Sequence, residues 1–450
     1  MRVTLIVRSP FSRELVAELP FTSDDELRSI VADAREALSG WQHASVAERA
    51  APILDGLQHF RRHRDEIARE ISQQMGKPVR EALGEVDGML ERAEYMISIA
   101  EECLAADILP EKQGFHRRIE HEPLGVVLDL AAWNYPLLIA VNVVVPALLA
   151  GNVVLLKHSA KTPLCARHFA DAFPNVFVLV LSHDQTAELI RGPDLDHVAF
   201  TGSVEGGRKV LRHAACSERF LDTGLELGGK DPAYIAADAD FEFAVQNVVE
   251  GACYNAGQSC CAIERVYVHR DLYEDFLDRA AVELRAFELG DPLQDSTTMG
   301  PMASASALGF LEEQVAEAVK RGARVLLGGK PEGPFFLPTL LADCANDMRV
   351  VQEESFGPLV PVLPVDGDDD ALAKMNDSRF GLTASVWTSD RERAEVFARE
   401  LRTGTVFQNR CDYLDPALPW TGVGDSGKGS TLSRYGFLHL TRRKAIHFRE

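Results

Sequence analysis

Basic charge is scarce in this sequence. Its 450 residues include 47 lysines and arginines against 68 aspartates and glutamates, which gives a formal net charge of −21. Proteins that bind nucleic acid or anionic membrane surfaces usually present basic patches to them. The acidic balance therefore predicts no nucleic-acid partner and no membrane partner, and we interpret it as a solvated surface that aids solubility.

Long apolar runs and paired cysteines are also missing. The longest apolar run, residues 137–151, is interrupted by Asn142 and Pro146 and is too short to cross a membrane. The first ten residues lack the basic, apolar and small-residue pattern of a secretory signal. The eight cysteines lack the paired spacing of a disulfide framework or of a zinc site. These absences predict a protein of the reducing cytoplasm that binds no metal.

The composition is that of a globular enzyme with more than one domain, since 450 residues exceed one ordinary core. Apolar residues recur at helical spacing through the first hundred residues, which we expect to be helical. One long helix is expected from Val46 to Met75, where Gly76 and Pro78 would end it.

Short apolar segments alternate with helical ones from residue 117 onward. Residues 126–131 predict a strand that is buried on both faces, and residues 137–150 predict a helix before the next strand. A strand, a helix and a second strand in this order form a βαβ unit with a parallel sheet. The pattern predicts a doubly wound dinucleotide-binding domain, and a second α/β series from residue 227 suits a catalytic domain. The polar tail, residues 434–450, is expected to add a strand to a neighbour's sheet.

A cysteine loop, Gly257-Gln258-Ser259-Cys260-Cys261, follows a segment that predicts a buried helix. A thiolate is a strong nucleophile at neutral pH when its pKa is lowered and it can be reached. Small neighbours leave room for a substrate and let backbone N–H groups approach a developing oxyanion. A cysteine that only packs in the core is the commoner case. Composition alone does not choose between Cys260 and Cys261.

Two polar residues lie where they could assist a thiol. Glu226 is flanked by leucines, and desolvation there would raise its pKa toward that of a general base. A pair between Glu226 and Lys230 is the alternative. Asn134 follows a predicted strand and could donate its amide N–H to an oxyanion, or it could cap the helix that begins near Pro136.

Two further segments lie at the carboxyl ends of predicted strands. Gly202 to Gly207 open a helix, where a dinucleotide pyrophosphate would bind, although an ordinary βα turn fits the same residues. Lys157 ends another strand, and a solvated lysine is its alternative interpretation. Together these groups would oxidise an aldehyde: sulfur attacks the carbonyl carbon, a hydride leaves for a nicotinamide, and water activated by the carboxylate hydrolyses the thioester.

The sequence resembles the aldehyde dehydrogenase superfamily over essentially its whole length. The resemblance is carried by segments that stand in the family's order. They are Ala132-Trp133-Asn134-Tyr135-Pro136, Lys157-His158-Ser159, residues 200–207, Glu226-Leu227-Gly228-Gly229-Lys230, Gly257-Gln258-Ser259-Cys260, Glu353-Glu354-Ser355-Phe356-Gly357-Pro358, and residues 376–382 and 419–429.

This resemblance implies residue roles. It implies Cys260 as the nucleophile, Glu226 as the general base, and Asn134 with the Cys260 backbone N–H as the oxyanion hole. For NAD or NADP it implies contacts from Trp133, Lys157, Ser159, Gly202, Ser203, Gly207, Leu227, Glu354 and Phe356. For an aldehyde tunnel it implies walls formed by Tyr135, Leu138, Ile139, Asn142, Tyr254, Ser259, Asp412 and Leu414.

The resemblance also implies a domain organisation. Residues 1–104 and 124–226 would form an NAD(P)-binding domain of Rossmann type, and residues 227–433 an α/β catalytic domain. Residues 105–123 and 434–450 would form a small β element that joins the chains of a homodimer or homotetramer.

The substrate and the cofactor leave alternatives open. Ala160 stands where the family often has an acid that contacts the adenosine ribose, and Lys161 follows, so the sequence admits NADP beside NAD. Apolar tunnel walls favour an uncharged aldehyde. The segment order with Lys157-His158 also resembles semialdehyde dehydrogenases, which need a cation for the substrate carboxylate, and Arg410 is the candidate. A coenzyme A-acylating enzyme, against which Glu226 argues, and a catalytically inactive family member are the further alternatives.

Overall fold

The computed structural model describes residues 4–450. The strands in chain order are β1 (Thr4–Arg8), β2 (Leu15–Pro20), β3 (Asp107–Ile108), β4 (Phe115–Pro123), β5 (Val126–Ala131), β6 (Val153–His158), β7 (Val176–Val178), β8 (His197–Thr201), β9 (Asp222–Glu226), β10 (Asp231–Ile235), β11 (Ile263–His269), β12 (Arg324–Leu327), β13 (Pro331–Glu332), β14 (Phe335–Phe336), β15 (Thr339–Ala342), β16 (Leu359–Val365), β17 (Phe380–Gly381), β18 (Thr383–Trp387), β19 (Thr405–Gln408), β20 (Val423–Gly424), β21 (Gly427–Lys428) and β22 (Thr441–Arg449).

The helices in chain order are α1 (Asp24–Trp41), α2 (Val46–Arg62), α3 (Arg64–Met75), α4 (Val79–Leu104), α5 (Pro136–Leu149), α6 (Cys165–Ala172), α7 (His183–Arg191), α8 (Val204–Ala215), α9 (Phe241–Cys253), α10 (Tyr273–Arg285), α11 (Ala305–Lys320), α12 (Arg349–Gln352), α13 (Asp368–Asn376), α14 (Arg391–Glu400) and α15 (Ser433–His439). Short 3₁₀ segments occupy Tyr254–Gly257 and Arg270–Leu272. Within residues 4–450, no helix is both long enough and apolar enough to cross a membrane.

A six-stranded sheet contains the first α/β series, in the order β21-β9-β8-β5-β6-β7. Strands β5 to β9 are parallel, and the short β21 pairs antiparallel with β9. The strand order reverses direction between β5 and β8, and doubly wound sheets bind ligands at the carboxyl ends of strands at such a switch point. The prediction of an α/β fold with a doubly wound parallel sheet is confirmed.

Strand β5 shows why this sheet is buried on both faces. All six of its residues are buried. Val127 and Ala131 pack in one hydrophobic cluster, while Leu128 and Leu130 pack in another on the opposite face. Since side chains alternate across a strand, a continuous apolar run supplies both clusters at once.

The second sheet has seven strands in the order β12-β15-β16-β11-β10-β18-β19. Only residues 227–230 separate the end of β9 from the start of β10. Strand β10 pairs parallel with β11, with Asp231 opposite Ile263. The loop that precedes β11, which contains Cys260, is therefore brought next to the segment that follows Glu226.

The C-terminal tail forms α15 and then β22. Strand β22 pairs antiparallel with β4 of the same chain, from Thr441 opposite Pro123 to Arg449 opposite Phe115. Our expectation of a strand in residues 434–450 is met for β22, which pairs with β4 of the same chain. Since β22 is the edge strand of this sheet, its addition to a neighbour's sheet stays a prediction. The register matches nine residues on each strand, although the two segments stand far apart in the sequence.

Two expectations for the first hundred residues were wrong. Strands β1 and β2 form an antiparallel hairpin where we expected helix, because residues 4–8 and 15–20 are long enough to pair across a short turn. The helix expected from Val46 to Met75 is interrupted at His63, which separates α2 from α3. Phe60 and Ile67 are buried in the core, but His63 and Arg64 between them are not. Core packing therefore does not favour one continuous helix across these residues.

The predicted domain division stays a proposal. Its boundary after residue 226 falls between the two large sheets, and residues 105–123 and 434–450 contain the three-stranded sheet β22-β4-β3.

Candidate active site

A cavity of about 820 Å³ opens between helices α4, α5 and α9 and the loop that follows β19. Cys260 and Glu226, the predicted nucleophile and base, both line it. All the residues expected as tunnel walls line the same cavity, namely Tyr135, Leu138, Ile139, Asn142, Tyr254, Ser259, Asp412 and Leu414. The fold thus brings residues that are far apart in the sequence into one concave site.

The loop before Cys260 has an unusual backbone. Asn255, Ala256 and Gly257 have φ angles of 52°, 56° and 69°, in the left-handed region that non-glycine residues rarely adopt. A Cβ on Gly257 would lie 2.3 Å from the carbonyl oxygen of Gly357, so a side chain would not fit there. Strained backbone of this kind persists where surrounding contacts fix it, and it concentrates at functional sites.

Asn255 supplies several of those contacts. Its backbone N–H donates to Glu81 (3.1 Å), and its side-chain amide donates to the carbonyl oxygens of Asn134 (3.2 Å) and Gln258 (3.1 Å). The cysteine loop is therefore tied directly to the segment that carries Asn134.

The two adjacent cysteines lie in different environments. Cys261 is 3% exposed, and its thiol donates to Asp412 at 3.0 Å. Contact with the Cys260 thiol, burial and the Asp412 carboxylate hold the pKa of Cys261 well above its usual range. Cys260 is only partly buried and lines the cavity. The geometry favours Cys260 as the nucleophile, since Cys261 is enclosed and held protonated.

Asp412 organises the wall beside the cysteines. Its carboxylate accepts hydrogen bonds from the Ser259 hydroxyl (3.2 Å) and the Cys261 thiol. Burial raises the pKa of Asp412 to about 6, against the opposing effect of these two bonds. Ser259 is thereby fixed next to the nucleophile.

Glu226 ends β9 with its carboxylate at the cavity wall. Its two oxygens accept hydrogen bonds from the hydroxyls of Thr431 and, at 3.3 Å, Thr201. Burial raises its pKa, while the bonds from Thr431 and Thr201 act in the opposite direction. The alternative pair with Lys230 is not formed, because Lys230 binds Glu264 (2.5 Å) and the Ser355 hydroxyl (2.9 Å).

Asn134 lies between β5 and α5 and is 4% exposed. Helix α5 begins at Pro136 without a side-chain cap, so the alternative role of Asn134 as a cap is not observed. Across residues 4–450, no hydrogen bond to the Asn134 side-chain amide is found, whereas its backbone carbonyl accepts one from Asn255. Its amide is therefore free to donate to another group.

A buried carboxylate takes the place of a cap at the start of α5. Glu85 accepts hydrogen bonds from the backbone N–H groups of Leu137 (2.8 Å) and Leu138 (3.4 Å). Its other oxygen pairs with Lys77, and both side chains are at most 1% exposed. The Lys77 ammonium also lies 3.8 Å from the centre of the Tyr135 ring. One ion pair thus links α4, the start of α5 and a cavity wall.

We expect Lys77→Met to lower the free energy of unfolding by about 3–5 kcal/mol, because it leaves Glu85 charged and unpaired in the interior. Urea denaturation would measure the loss. Arg64→Met is the matched control: it breaks a half-exposed pair with Asp87, for which we expect about 1 kcal/mol or less. Equal losses in the two variants would contradict a special role for the buried pair.

Aromatic and basic groups meet at the carboxyl edge of the six-stranded sheet. The rings of Trp133 and Phe356 pack edge to face, with centroids 5.6 Å apart. The Lys161 ammonium lies 4.2 Å from the centre of the Trp133 ring. Lys157, at the end of β6, is partly buried, which lowers its pKa. Within the described residues 4–450, Lys157 forms no ion pair, so a cation faces this edge without a protein partner.

The turn from β8 into α8 is closely packed. Ser203 is the N-cap of α8 and its hydroxyl accepts from the Gly206 N–H at 3.1 Å. A Cβ on Gly202 would lie 2.7 Å from Phe200, and one on Gly207 would lie 2.6 Å from Leu227. The glycines therefore let the helix start close to the strand end, as the start of a dinucleotide-binding helix requires.

Glu354 approaches the segment after Glu226. Its carboxylate accepts from the Gly229 N–H at 3.2 Å, and a Cβ on Gly228 would lie 2.1 Å from the same carboxylate. Burial and the neighbouring Glu264 carboxylate raise the pKa of Glu354 to about 8. Glu264 in turn accepts from the backbone N–H of Phe356 at 2.8 Å, which fixes the orientation of this segment.

Helix α4 supplies three charged groups that we did not anticipate. Glu81, Glu85 and Arg92 are buried, in phase with its apolar residues. Charged residues that repeat on the apolar face of a helix are a readable sequence signal, since a surface helix normally keeps charge on its other face. We interpreted the whole face as ordinary core packing and therefore missed them.

A doubly wound parallel sheet, whose carboxyl edge meets a cavity with a reachable thiol and a partly buried acid, defines an α/β enzyme of the dinucleotide-binding class. The chain belongs to the aldehyde dehydrogenase family, whose model matches residues 2–446.

Similar proteins agree with this membership. The chain is 36% identical to a succinate-semialdehyde dehydrogenase [NADP(+)] of Deinococcus radiodurans, over 97% of this chain and 93% of the relative. A solved structure described as showing cofactor and substrate selection by Gox0499 is 34% identical, with a TM-score of 0.94 and 99% of each chain covered. An NAD-dependent aldehyde dehydrogenase from Sinorhizobium meliloti is 32% identical, with a TM-score of 0.95 over 99% of this chain and 92% of that one.

Proposed function

We propose that the protein oxidises an aldehyde to its carboxylic acid with NAD(P)⁺ through a thioester on Cys260. The observation that carries this proposal is one cavity lined by a reachable thiol, a partly buried carboxylate and the predicted substrate walls. The thiolate of Cys260 attacks the aldehyde carbon and forms a thiohemiacetal. When bound, NAD(P)⁺ would supply the acceptor for the hydride that leaves this adduct as it becomes a thioester.

The chain's own groups divide the remaining work. The free amide of Asn134 and the Cys260 backbone N–H would donate to the oxyanion that forms when sulfur attacks. Glu226 would take a proton from the water that attacks the thioester, which regenerates the thiol and releases the acid. Its raised pKa suits this role, since a stronger base accepts the proton more readily.

The residues at the carboxyl edge of the six-stranded sheet fit a dinucleotide. The switch point, the glycine turn into α8 and the unpaired Lys157 ammonium provide a surface for an anionic nucleotide. In this arrangement Gly202, Ser203 and Gly207 would hold the pyrophosphate, and Lys157 and Ser159 the adenosine ribose. Trp133, Leu227, Glu354 and Phe356 would border the nicotinamide end.

We propose NADP as the preferred cofactor, in a cytoplasmic enzyme that works as a homodimer or homotetramer. Ala160 is exposed and places no carboxylate beside Lys161. The Deinococcus radiodurans relative named for NADP(+) supports the same choice.

Ala160→Glu should lower kcat/KM for NADP relative to NAD by about 30-fold, because a carboxylate there repels the 2′-phosphate. Initial rates with each cofactor at fixed aldehyde would give the ratio. Ala160→Gln adds nearly the same volume without the charge and should change the ratio much less. The cofactor assignment would be wrong if both variants gave the same ratio.

The test of the reaction class is the fate of the acyl group. The purified protein is incubated with an aldehyde and NADP in ¹⁸O-labelled water without coenzyme A, and the product is analysed by mass spectrometry. We expect a carboxylic acid with one labelled oxygen, formed in step with absorbance at 340 nm. Turnover that requires coenzyme A would replace this proposal with the acylating alternative. Cofactor binding without oxidation of any aldehyde would favour an inactive family member.

A further inference from the structure

Arg92 is a cation in the wall of the cavity, although it is only 8% exposed. It lies on α4, and Glu226, Glu85 and the two adjacent cysteines are near enough to raise its pKa, against the larger effect of burial. An arginine keeps its charge even where burial lowers its pKa, because its ordinary value is so high. The reacting groups therefore face a permanent positive charge.

Half of this guanidinium is held by the protein. Its Nη1 donates to the carbonyl oxygen of Leu138 (3.3 Å) and to the side-chain oxygen of Asn142 (3.2 Å). These neutral partners belong to α5 and fix the plane of the group. The Nε and Nη2 atoms make no hydrogen bond to residues 4–450, and they are not among the fully enclosed unpartnered atoms. The edge of the guanidinium that carries Nε and Nη2 is thus free to donate to another group.

Arg92 has no carboxylate partner among the described residues, unlike the buried lysines. The buried arginines Arg49 and Arg265 also lack one there, but their guanidinium groups donate to carbonyl oxygens away from the cavity, whereas Arg92 lines it. Lys77 is paired with Glu85, and Lys230 is paired with Glu264. No ion pair of Arg92 is found in the described chain, residues 4–450. A buried charge without a counter-charge is costly, and an anionic ligand that supplies one is bound strongly.

Acids also line the cavity, but four of them are already engaged. Glu85 and Asp87 pair with lysine and arginine respectively, and Asp412 and Glu226 accept hydrogen bonds from neutral groups. Glu91 and Glu250 are exposed. None of these acids forms an ion pair with Arg92.

Arg410, our earlier candidate for binding a carboxylate, is less suited to that role. It lines the cavity but is exposed, and its guanidinium lies 3.6 Å from the centre of the Tyr413 ring. A cation in contact with water gains less from an anion than a desolvated one does. If Arg92 binds the substrate carboxylate, its substitution should lower the selectivity for a charged aldehyde. If Arg410 binds it, the substitution of Arg410 should do so instead.

We propose that the free edge of Arg92 binds the carboxylate of a short semialdehyde while the aldehyde carbon lies at Cys260. This inference rests on the proposed function, and it names the substrate class. A planar guanidinium matches a carboxylate in a bidentate arrangement, and the two bonds to α5 preorganise it. Since Arg92 is near Cys260, the spacer between the two carbonyl carbons of the substrate is short.

A different role for Arg92 would be to stabilise the Cys260 thiolate or the Glu226 carboxylate. In that case its loss would slow charged and uncharged aldehydes by the same factor. The substrate role instead predicts a loss that depends on the substrate's charge. The comparison of matched substrates in one variant separates the two roles.

The test uses succinic semialdehyde and butanal, which share a four-carbon chain and differ in the carboxylate. Arg92→Met should lower the ratio of kcat/KM for succinic semialdehyde over that for butanal by about 100-fold, mostly through KM. Arg92→Lys should recover part of the ratio, since it restores the positive charge but not the paired N–H donors of a planar guanidinium. Arg410→Met should change the ratio by much less.

Binding without turnover gives a second readout. Succinate should protect Cys260 of the wild type from alkylation by iodoacetamide, whereas butyrate at the same concentration should protect it much less. Arg92→Met should abolish this difference. The modified residue is identified by peptide mass spectrometry, so alkylation of other cysteines does not enter the result.

Three outcomes would overturn the inference: an unchanged substrate ratio in Arg92→Met, an equal loss for both aldehydes, or a larger change of the ratio in Arg410→Met. Failure of the proposed function is recognised separately, because the wild type would then oxidise neither aldehyde. A misfolded Arg92→Met is recognised by circular dichroism, and Arg92→Lys then carries the test.

Discussion

Cys260→Ala is expected to abolish aldehyde oxidation, with a loss in kcat of about 10⁴-fold or more, because it removes the thiol proposed to form the covalent adduct. Cys411 also lines the cavity, but its thiol donates to the Asn247 carbonyl oxygen (3.4 Å) and burial raises its pKa. Absorbance at 340 nm measures the loss. Cofactor binding, measured by calorimetry, should be retained, since none of the residues expected to hold the nucleotide is changed. The expected result is therefore a protein that binds NADP and does not reduce it.

Cys261→Ala is the matched control for this variant. The Cys261 thiol is enclosed and donates to Asp412, so its removal leaves the nucleophile in place. We expect turnover to persist in Cys261→Ala. Its kcat should change only because Asp412, which also binds the Ser259 hydroxyl, loses one hydrogen bond. If Cys261→Ala were inactive and Cys260→Ala active, the assignment of the nucleophile would have to be exchanged.

Glu226→Gln should leave formation of the thioester fast and make its hydrolysis slow. The amide cannot take the proton of the attacking water, so hydrolysis of the thioester should slow by about 10³-fold. Formation of the thioester does not require this base, so rapid mixing should show a burst of reduced cofactor close to the enzyme concentration. Intact mass spectrometry should then detect the acyl group on Cys260. Absence of a burst, with chemistry lost from the first turnover, would contradict the hydrolytic role.

The pH dependence gives an independent check of the same residue. Glu226 must be deprotonated to act, so hydrolysis should decline as the pH falls through its pKa. The Thr431 hydroxyl stabilises the charged form and thereby lowers that pKa. Thr431→Val removes the bond, so the acidic limb of the hydrolysis rate should move to higher pH. Thr201→Val should shift it in the same direction by less, because that bond is longer, at 3.3 Å.

Local patterns made parts of this fold predictable. The run 126–131 predicted a strand buried on both faces, and β5 is buried at all six residues. The alternation of strands and helices predicted a parallel doubly wound sheet because such a sheet requires a crossover between adjacent strands. The hairpin β1–β2 was missed although its pairing is local, because we extended the helical spacing of the following residues to the start of the chain. The break at His63 was missed because it depends on which side chains reach the core.

The candidate site was predictable where a motif joins unusual residues. Gly257 and Cys260 are such a case, and the structure explains the glycine by its left-handed backbone and its contact with Gly357. Arg92 belongs to no motif. Its proposed role depends on the helix face it occupies and on its neutral partners on α5. The residues next to Arg92 in the sequence predict neither of these.

The sequence by itself determined the α/β class, the order of strands and helices through most of the chain, and the candidate residues of the reaction, because these follow from apolar periodicity and short motifs. The tertiary structure decided which neighbour each group has. It enclosed Cys261 beside Asp412. It paired Lys230 with Glu264, so that Glu226 accepts hydrogen bonds from two threonines, and it placed Arg92 at the cavity without an ion pair among the described residues. The physical reason is that burial and charge pairing depend on distances between segments that are remote along the chain, and folding alone fixes those distances.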